Sequence, residues 1–521
     1  MTKRPNFLFI MTDQQRSDWL GCMGHPVVRT PHIDALAARG TLFRDFHAAS
    51  PICMPNRASF MTGRMPSQHG LRYNGCTLPV TANTFVDVLA AAGYDTAAFG
   101  KSHLQPFTED DPRHAPDAPD LPPRPVEEAW STPPAPSAEA PANFPEGGYT
   151  PVKTPYFGFQ RVEFAARHGA HVGGHYEQWF KATAPDWKAL RDPANELPHD
   201  YTCPQAYRTP IPEELYPTTW IADRAIDYLQ EPYRGAAPFF AYVSFPDPHH
   251  PFNPPGRYWD MYDPADFDLS LPFEAHRNPP PPMAWLDEQY RAGGGQFTPQ
   301  TATRVGARQL QEAMALTAGM ITMIDDQVGR LIAALKASGQ YDNTVIVFNS
   351  DHGDYLGDFG MLLKGSLPFR SITQVPMIWS DPADRSARDF LDLASTIDLA
   401  PSILDRAGLT PFRGMQGRSF VPALSGGRHR DEVLIEFNDG PAKLGFASPA
   451  RVRTLRDKRW RFTIYAGEDW GELYDLQADP DETHNLWDDP DHRAVRGDLS
   501  LRLAHLLTRQ MDESPRSTRI A

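Results

Sequence analysis

Cysteine is scarce in this sequence: Cys22, Cys53, Cys76 and Cys203 are the four in a chain of 521 residues. That excludes a disulfide framework as the basis of the fold, and the thiols are expected to stay reduced, as in a cytoplasm. Long apolar runs are lacking as well. In the opening MTKRPNFLFIMTDQQ, the run from Phe7 to Met11 is too short for a signal-peptide core, and no later segment approaches the ~18 unbroken apolar residues of a membrane span. The expectation is a cytoplasmic protein with no membrane partner. Positive charge is short too. The 50 lysines and arginines face 65 acidic residues, a formal net charge of -15, and without a basic face a nucleic acid is not the expected partner.

What the chain does have is enough apolar residue for a substantial core, 41% of the total. Its order is α/β alternation with long insertions. NFLFIMT, residues 6 to 12, has the length and unbroken apolar character of a buried parallel strand and ends at Asp13. Residues 83 to 92 carry Phe85, Val88 and Leu89 at helical spacing, and residues 95 to 99 read as the following strand. Residues 106 to 156 are rich in proline and acidic groups without a sustained period, which predicts an irregular surface excursion, extended here to 106–180 as an insertion. FFAYVSF, residues 239 to 245, is a second buried strand and runs into PDPHHP. A long helix over 304–337 then precedes a third strand, from 344 to 348, that delivers Asp351 and His352. Open sheets of this kind build their sites at the carboxyl ends of the strands, so Asp13, His249, Asp351 and His352 are expected on one rim. Carboxylates gathered on a rim are costly unless a cation neutralises them, which points to a divalent metal.

Between the first strand and the helix at 83 stands CMPNRASFMTGR, Cys53 to Arg64. Proline and arginine at fixed offsets, Pro55 and Arg57, give the pattern CxPxR. A cysteine-phosphatase loop would need arginine six positions after the cysteine, and position 59 is Ser59, so that reading fails.

CxPxR with the TGR ending of Thr62, Gly63 and Arg64 resembles the signature of type I sulfatases, members of the alkaline phosphatase superfamily, in which this cysteine becomes formylglycine. The resemblance extends along the chain. Asp13 stands where the family has an acidic metal ligand, SDHG supplies Asp351 and His352, FGKSHL is similar to the family's GKWHL block and carries over Lys101 and His103, PHHP carries over His249, and GDFGMLLKG carries over Lys364. STIDLAPSILDRAG and GELYDLQADPDETHNL resemble the family's closing helix and C-terminal strand motif. The implied fold is α/β and alkaline phosphatase-like: a large, mostly parallel central sheet flanked by helices in residues 1–412, and a smaller α+β subdomain with a short antiparallel sheet in residues 413–521.

The resemblance also implies the chemistry. Asp13, Asp351, His352 and the modified Cys53 are expected to hold one divalent metal, calcium first and manganese as the alternative. A hydroxyl of the hydrated aldehyde attacks sulfur, with Asp351 accepting its proton and Arg57 holding the hydrated group. His249 protonates the leaving oxygen, with Lys364 offsetting charge nearby. His103, beside Lys101, deprotonates the second hydroxyl and so expels sulfate by C–O cleavage. A formylglycine-generating enzyme is the expected maturation partner, a small-molecule sulfate ester the substrate, and a homo-oligomer the expected assembly.

Two positions depart from the common sulfatase pattern. Gln14 stands where many sulfatases have a second aspartate and His352 where they have asparagine. That variant resembles phosphonate monoester hydrolases and choline sulfatases, whereas Lys101 and His103 pull back toward sulfate monoesters. The leading reading is hydrolysis of aryl or small alkyl sulfates. A phosphonate monoester or phosphodiester hydrolase is the alternative, and a catalytically silent binding protein a remote third. Outside these motifs, Asn74 is a candidate substrate contact or a turn former in YNG. The histidines His168, His171 and His175 read poorly as a zinc cluster because glycines interrupt them, and His175 is a candidate pocket border. Asp325 and Asp326 are expected as ordinary helix residues. Trp130, Tyr156 and Phe157 wall a leaving-group pocket or simply pack.

Overall fold

The computed structural model of the chain describes residues 4–108, 137–231, 237–293 and 301–519. At its centre is β1 (Asn6–Thr12), buried at every position. Period-2 alternation splits its side chains between two cores. Leu8 and Ile10 face one side, where they join residues of two helices, α3 (Pro217–Gln230) and α4 (Ala307–Ala337). Phe7, Phe9 and Met11 face the other, against Phe60, Phe85 and Leu89. A strand covered on both faces has no polar side to show, which is why its sequence is a continuous apolar run.

β1 is one of nine strands in a single sheet. The others are β2 (Thr41–Phe43), β3 (Asp95–Gly100), β4 (Arg161–Ala166), β5 (Gly173–Gly174), β6 (Phe239–Ser244), β7 (Thr344–Ser350), β8 (Met377–Ser380) and β9 (Arg388–Phe390). Their order is β9-β2-β8-β7-β1-β6-β3-β4-β5. From β7 through β4 all pairs are parallel, while β8 runs antiparallel to β7 and β2, and β5 antiparallel to β4. The sheet is therefore the large, mostly parallel one that the sequence leads to expect.

Register sets the position of the site. Thr12 pairs with Ser350, Met11 with Ser244, and Gly100 with Ser244. The next residues, Asp13, Asp351 and Lys101, consequently leave the sheet at one edge. Gly100 is required for that exit: its φ is 102°, and a Cβ there would meet the carbonyl oxygen of Ser244 at 2.0 Å.

A second, four-stranded antiparallel sheet follows, β10 (Glu432–Asn438), β11 (Arg451–Asp457), β12 (Trp460–Tyr465) and β13 (Gly471–Asp475). Helix α5 (Arg493–Arg509) closes it, burying Leu499 and Leu503 with Leu455 and Phe462. The expected irregular insertion over 106–180 differs from what is found. β4 lies within it and extends the central sheet, because Val162 and Phe164 alternate with half-polar neighbours, and α2 (His175–Thr183) follows. Trp130 falls outside the described residues. No helix of the described residues is long and apolar enough to cross a membrane.

Candidate active site

Cys53 is the first residue of α1 (Cys53–Thr62). Pro55 sits in the first turn, where an amide N–H would lack an intrahelical partner, and Gly63 ends the helix with φ 63°. Arg57 stands four positions after Cys53, which places both on one helical face. The CxPxR spacing thus becomes a geometric fact: the Cys53 thiol and a guanidinium project together toward the sheet edge.

Arg57 is fully buried and is satisfied on every side. It donates to Asp351 Oδ2 at 2.8 Å, Asp13 Oδ2 at 3.2 Å, Ser244 Oγ at 2.8 Å, Tyr242 Oη at 3.1 Å and the Lys101 carbonyl at 2.9 Å. Lys101 Nζ also pairs with Asp13 Oδ2. Burial alone would push the Asp13 carboxyl up, but Lys101, Arg57 and His168 outweigh it and hold the group well below the usual carboxylate range. Burial and Asp13 likewise push the Cys53 thiol up, yet Lys101, Lys364 and His352 prevail and leave it below its ordinary value.

Asp13, Cys53, Asp351 and His352 bring one ligand atom each within 4.8 Å of one another, all buried. The donors fit a divalent cation. His352 Nδ1 lies 2.8 Å from the Gly353 carbonyl, which fixes the proton there and leaves Nε2 facing the cluster, 3.0 Å from Cys53 Sγ and 3.7 Å from Asp13 Oδ1. Burial disfavours a proton on His352, but Asp351 and Cys53 raise its affinity, so proton and cation compete for that nitrogen. Gln14 turns elsewhere: its Oε1 accepts from Lys364 at 2.8 Å and its Nε2 donates to Asp354 Oδ2 at 2.5 Å.

Lys364 Nζ is the hub of the opposite wall. It lies 3.2 Å from Cys53 Sγ, 3.0 Å from His249 Nε2 and 3.1 Å from His352 Nε2. His249 Nδ1 is 2.5 Å from the His250 carbonyl, so its proton sits on Nδ1 and Nε2 accepts from the lysine. Burial, then the histidine and lysine neighbours, hold His249 well below its ordinary value. A resting His249 is therefore neutral, with the Lys364 ammonium 3.0 Å from its Nε2. His103 is buried and held neutral by burial and by Lys101 and Arg57, and its Nδ1 has no partner among the described residues.

Sequence reasoning weighed His168 only as a member of a zinc cluster and did not place it at the site. It follows β4 by two residues, contacts Lys101 Nζ at 2.6 Å and lies 3.9 Å from Asp13 Oδ2. The strand-end rule that singles out Asp13 would have found it had β4 been recognised. Asn56 was missed as well: its Oδ1 accepts from Ala49 N at 2.9 Å, and its Nδ2 donates to the Asp351 carbonyl and to Thr396 Oγ1. Asn74 accepts from Met54 N at 3.1 Å and so caps α1. Both ring nitrogens of His175 are engaged within the fold: Nδ1 accepts from Phe164 N at 2.8 Å and Nε2 faces the Thr150 carbonyl at 2.8 Å. His171 stacks on Tyr207, so the three histidines form no common cluster among the described residues.

The sulfatase family model matches residues 5–409. The chain belongs to the sulfatase family. A second family model, that of the N-sulphoglucosamine sulphohydrolase C-terminal region, matches residues 357–509. The chain is 28% identical over 491 residues to an arylsulfatase of Clostridium perfringens, covering 93% of this chain and 90% of that one. It is also 28% identical over 537 residues to the multifunctional alkaline phosphatase superfamily protein PehA of Trinickia caryophylli, covering 96% of each. Among solved structures, the phosphonate monoester hydrolase of Agrobacterium radiobacter superposes with a TM-score of 0.75 at 28% identity, covering 98% of this chain and 97% of that one. Membership makes this sulfatase a sulfuric ester hydrolase with an alkaline phosphatase-like fold, of a family that uses a metal ion and formylglycine.

Proposed function

We propose that this sulfatase hydrolyses aryl or small alkyl sulfate monoesters at position 53, with the cysteine converted to formylglycine by a generating enzyme and a calcium ion held by Asp13, Asp351, His352 and residue 53. Hard carboxylate oxygens favour calcium, and the imidazole of His352 keeps manganese as the alternative. When bound, the metal lowers the pKa of an oxygen nucleophile and withdraws charge from the sulfuryl oxygens. The chain's own residues do the rest. Asp351, held by Arg57, receives the nucleophile's proton, and Arg57 orients residue 53 from one helical turn below. Lys364 and His249 form one donor unit, 3.0 Å apart, that protonates the departing oxygen. His103 withdraws the second proton, with Lys101 beside it, and so releases sulfate.

The observation that carries the sulfate reading is the pair of buried ammonium groups, Lys364 at 3.2 Å from Cys53 Sγ and Lys101 on Asp13. The likeness to the phosphonate monoester hydrolase, together with Gln14 and His352, favours phosphonate monoesters or phosphodiesters as a second activity. Comparing kcat/KM for an aryl sulfate, a phenylphosphonate ester and a phosphodiester on one matured, metal-loaded preparation decides the order, and the sulfate is expected to lead. Cytoplasmic residence is part of this reading, supported by four free cysteines, as is assembly into a homo-oligomer.

A further inference from the structure

Glu139 brings a fully enclosed carboxylate from the proline-rich excursion back to the site. It is 1% exposed, and its two oxygens meet four donors. Oε2 accepts from His103 N at 2.8 Å. Oε1 accepts from Leu104 N at 3.0 Å, Gln105 N at 3.1 Å and Tyr156 Oη at 2.7 Å. Three successive backbone N–H groups converging on one anion make a nest, and the chain supplies the anion itself. Gln105 Oε1 returns the contact by accepting from Ala138 N at 2.7 Å.

The backbone held in this way is strained. His103 has φ 56°, in the left-handed region that a non-glycine residue keeps only when its surroundings impose it. Its ring stacks on Phe107 with centroids 4.1 Å apart. Without an acceptor for His103 N–H, an extended backbone at residue 103 becomes the cheaper state, and the imidazole turns with it.

We propose that Glu139 is a positioning residue for His103, its Oε2 fixing the left-handed backbone that aims the imidazole into the site. The proposal rests on the role given above to His103 in the second half of the reaction. The two oxygens separate this task from simple structural support, because Oε2 serves His103 while Oε1 serves the other three donors. Glu139→Gln keeps an oxygen for Leu104, Gln105 and Tyr156 and turns an amide NH2 against His103 N–H. Tyr156→Phe removes an Oε1 donor and leaves the His103 bond in place.

The test is steady-state kinetics on nitrophenyl sulfate with the matured, metal-loaded enzyme and the variants His103→Ala, Glu139→Gln and Tyr156→Phe, with urea midpoints alongside. kcat/KM reports steps up to departure of the phenolate, whereas kcat also includes release of sulfate. Glu139→Gln is expected to reproduce the His103→Ala profile: kcat and KM fall together, by ~10-fold or more, and kcat/KM stays within about twofold. Tyr156→Phe lowers the urea midpoint and keeps kcat. Wild-type kcat in Glu139→Gln beside a reduced kcat in His103→Ala overturns the proposal, as does a loss of kcat shared equally by Glu139→Gln and Tyr156→Phe. If His103→Ala lowers kcat/KM as much as kcat, the role of His103 is misassigned. Glu139→Gln must then still follow His103→Ala in whichever parameter moves, and divergence overturns the positioning claim. Unchanged parameters in His103→Ala overturn both.

Discussion

The imidazoles of His168 and His249 lie flat on one another, ring centroids 3.6 Å apart and planes inclined by 7°. His249 is thereby clamped between a stacked ring and the ammonium of Lys364, 3.0 Å from its Nε2. A donor unit of this kind matters most when the departing oxygen is a poor leaving group, since a stable phenolate needs little protonation. His249→Ala is expected to slow phenyl sulfate by ~10²-fold or more and nitrophenyl sulfate far less. Lys364→Ala is expected to share that dependence, because its ammonium lies 3.0 Å from His249 Nε2. Values of kcat/KM across a series of substituted phenyl sulfates measure it. Equal loss along the series would move the acid role elsewhere and leave the histidine as a substrate-positioning group.

Arg57 joins Asp13 to Asp351 with all three side chains fully buried. Removing one member of such a network strands the others, at a cost of ~3–5 kcal/mol. Arg57→Ala is expected to lower unfolding stability by that order in urea titration. A loss well under ~1 kcal/mol would show that solvent reaches the two carboxylates.

Metal removal is expected to abolish turnover and lower Tm. In solution the midpoint should climb with added calcium as mass action requires, ~4 kcal/mol when the free ion stands at about a thousand times its Kd. Arg57 and Lys101 already offset Asp13 and Asp351, so the carboxylates do not face each other uncompensated and the metal-free protein stays folded. Calorimetry against calcium concentration reads this directly. A Tm independent of calcium, with activity retained after exhaustive chelation, would rule the metal out.

Asp325 gives a pH dependence outside the site. Its carboxyl accepts from Ile33 N at 2.7 Å and His32 N at 3.1 Å, at the start of the helix Pro31–Ala37, and burial pushes its pKa up to about 6. The folded state therefore holds this proton more tightly than the unfolded chain. Its contribution to stability is present at low pH, falls as pH rises from ~4 to 6 and is level above that. Asp325→Asn should flatten this part of the stability profile, and an unchanged slope would contradict the assignment.

Much of this was readable from residue order. β1, β6 and β7 are continuous apolar runs, and their ends give Asp13, His249, Asp351 and His352. Asp325 and Asp326 proved to be bonded helix residues, Asp326 accepting from Tyr258 Oη and Arg257. The rest was hidden for physical reasons. β4 sits in a proline-rich setting whose composition argues for irregular chain, so the strand end that carries His168 went unseen. Asn56 and Glu139 act through backbone N–H groups, contacts that leave no periodic trace in a sequence. Asn74 is a cap only because the tertiary fold brings it to the first turn of α1, and a partner 20 residues away from Met54 lies beyond the local patterns by which helix caps are read from a sequence.

The most direct test is the mass of the peptide carrying residue 53 from protein made alongside a formylglycine-generating enzyme, read together with turnover of nitrophenyl sulfate. The account predicts a peptide that has exchanged sulfur and two hydrogens for one oxygen, with activity proportional to the converted fraction. Unmodified Cys53 in a fully active preparation, or ordinary activity in Cys53→Ala, would contradict it.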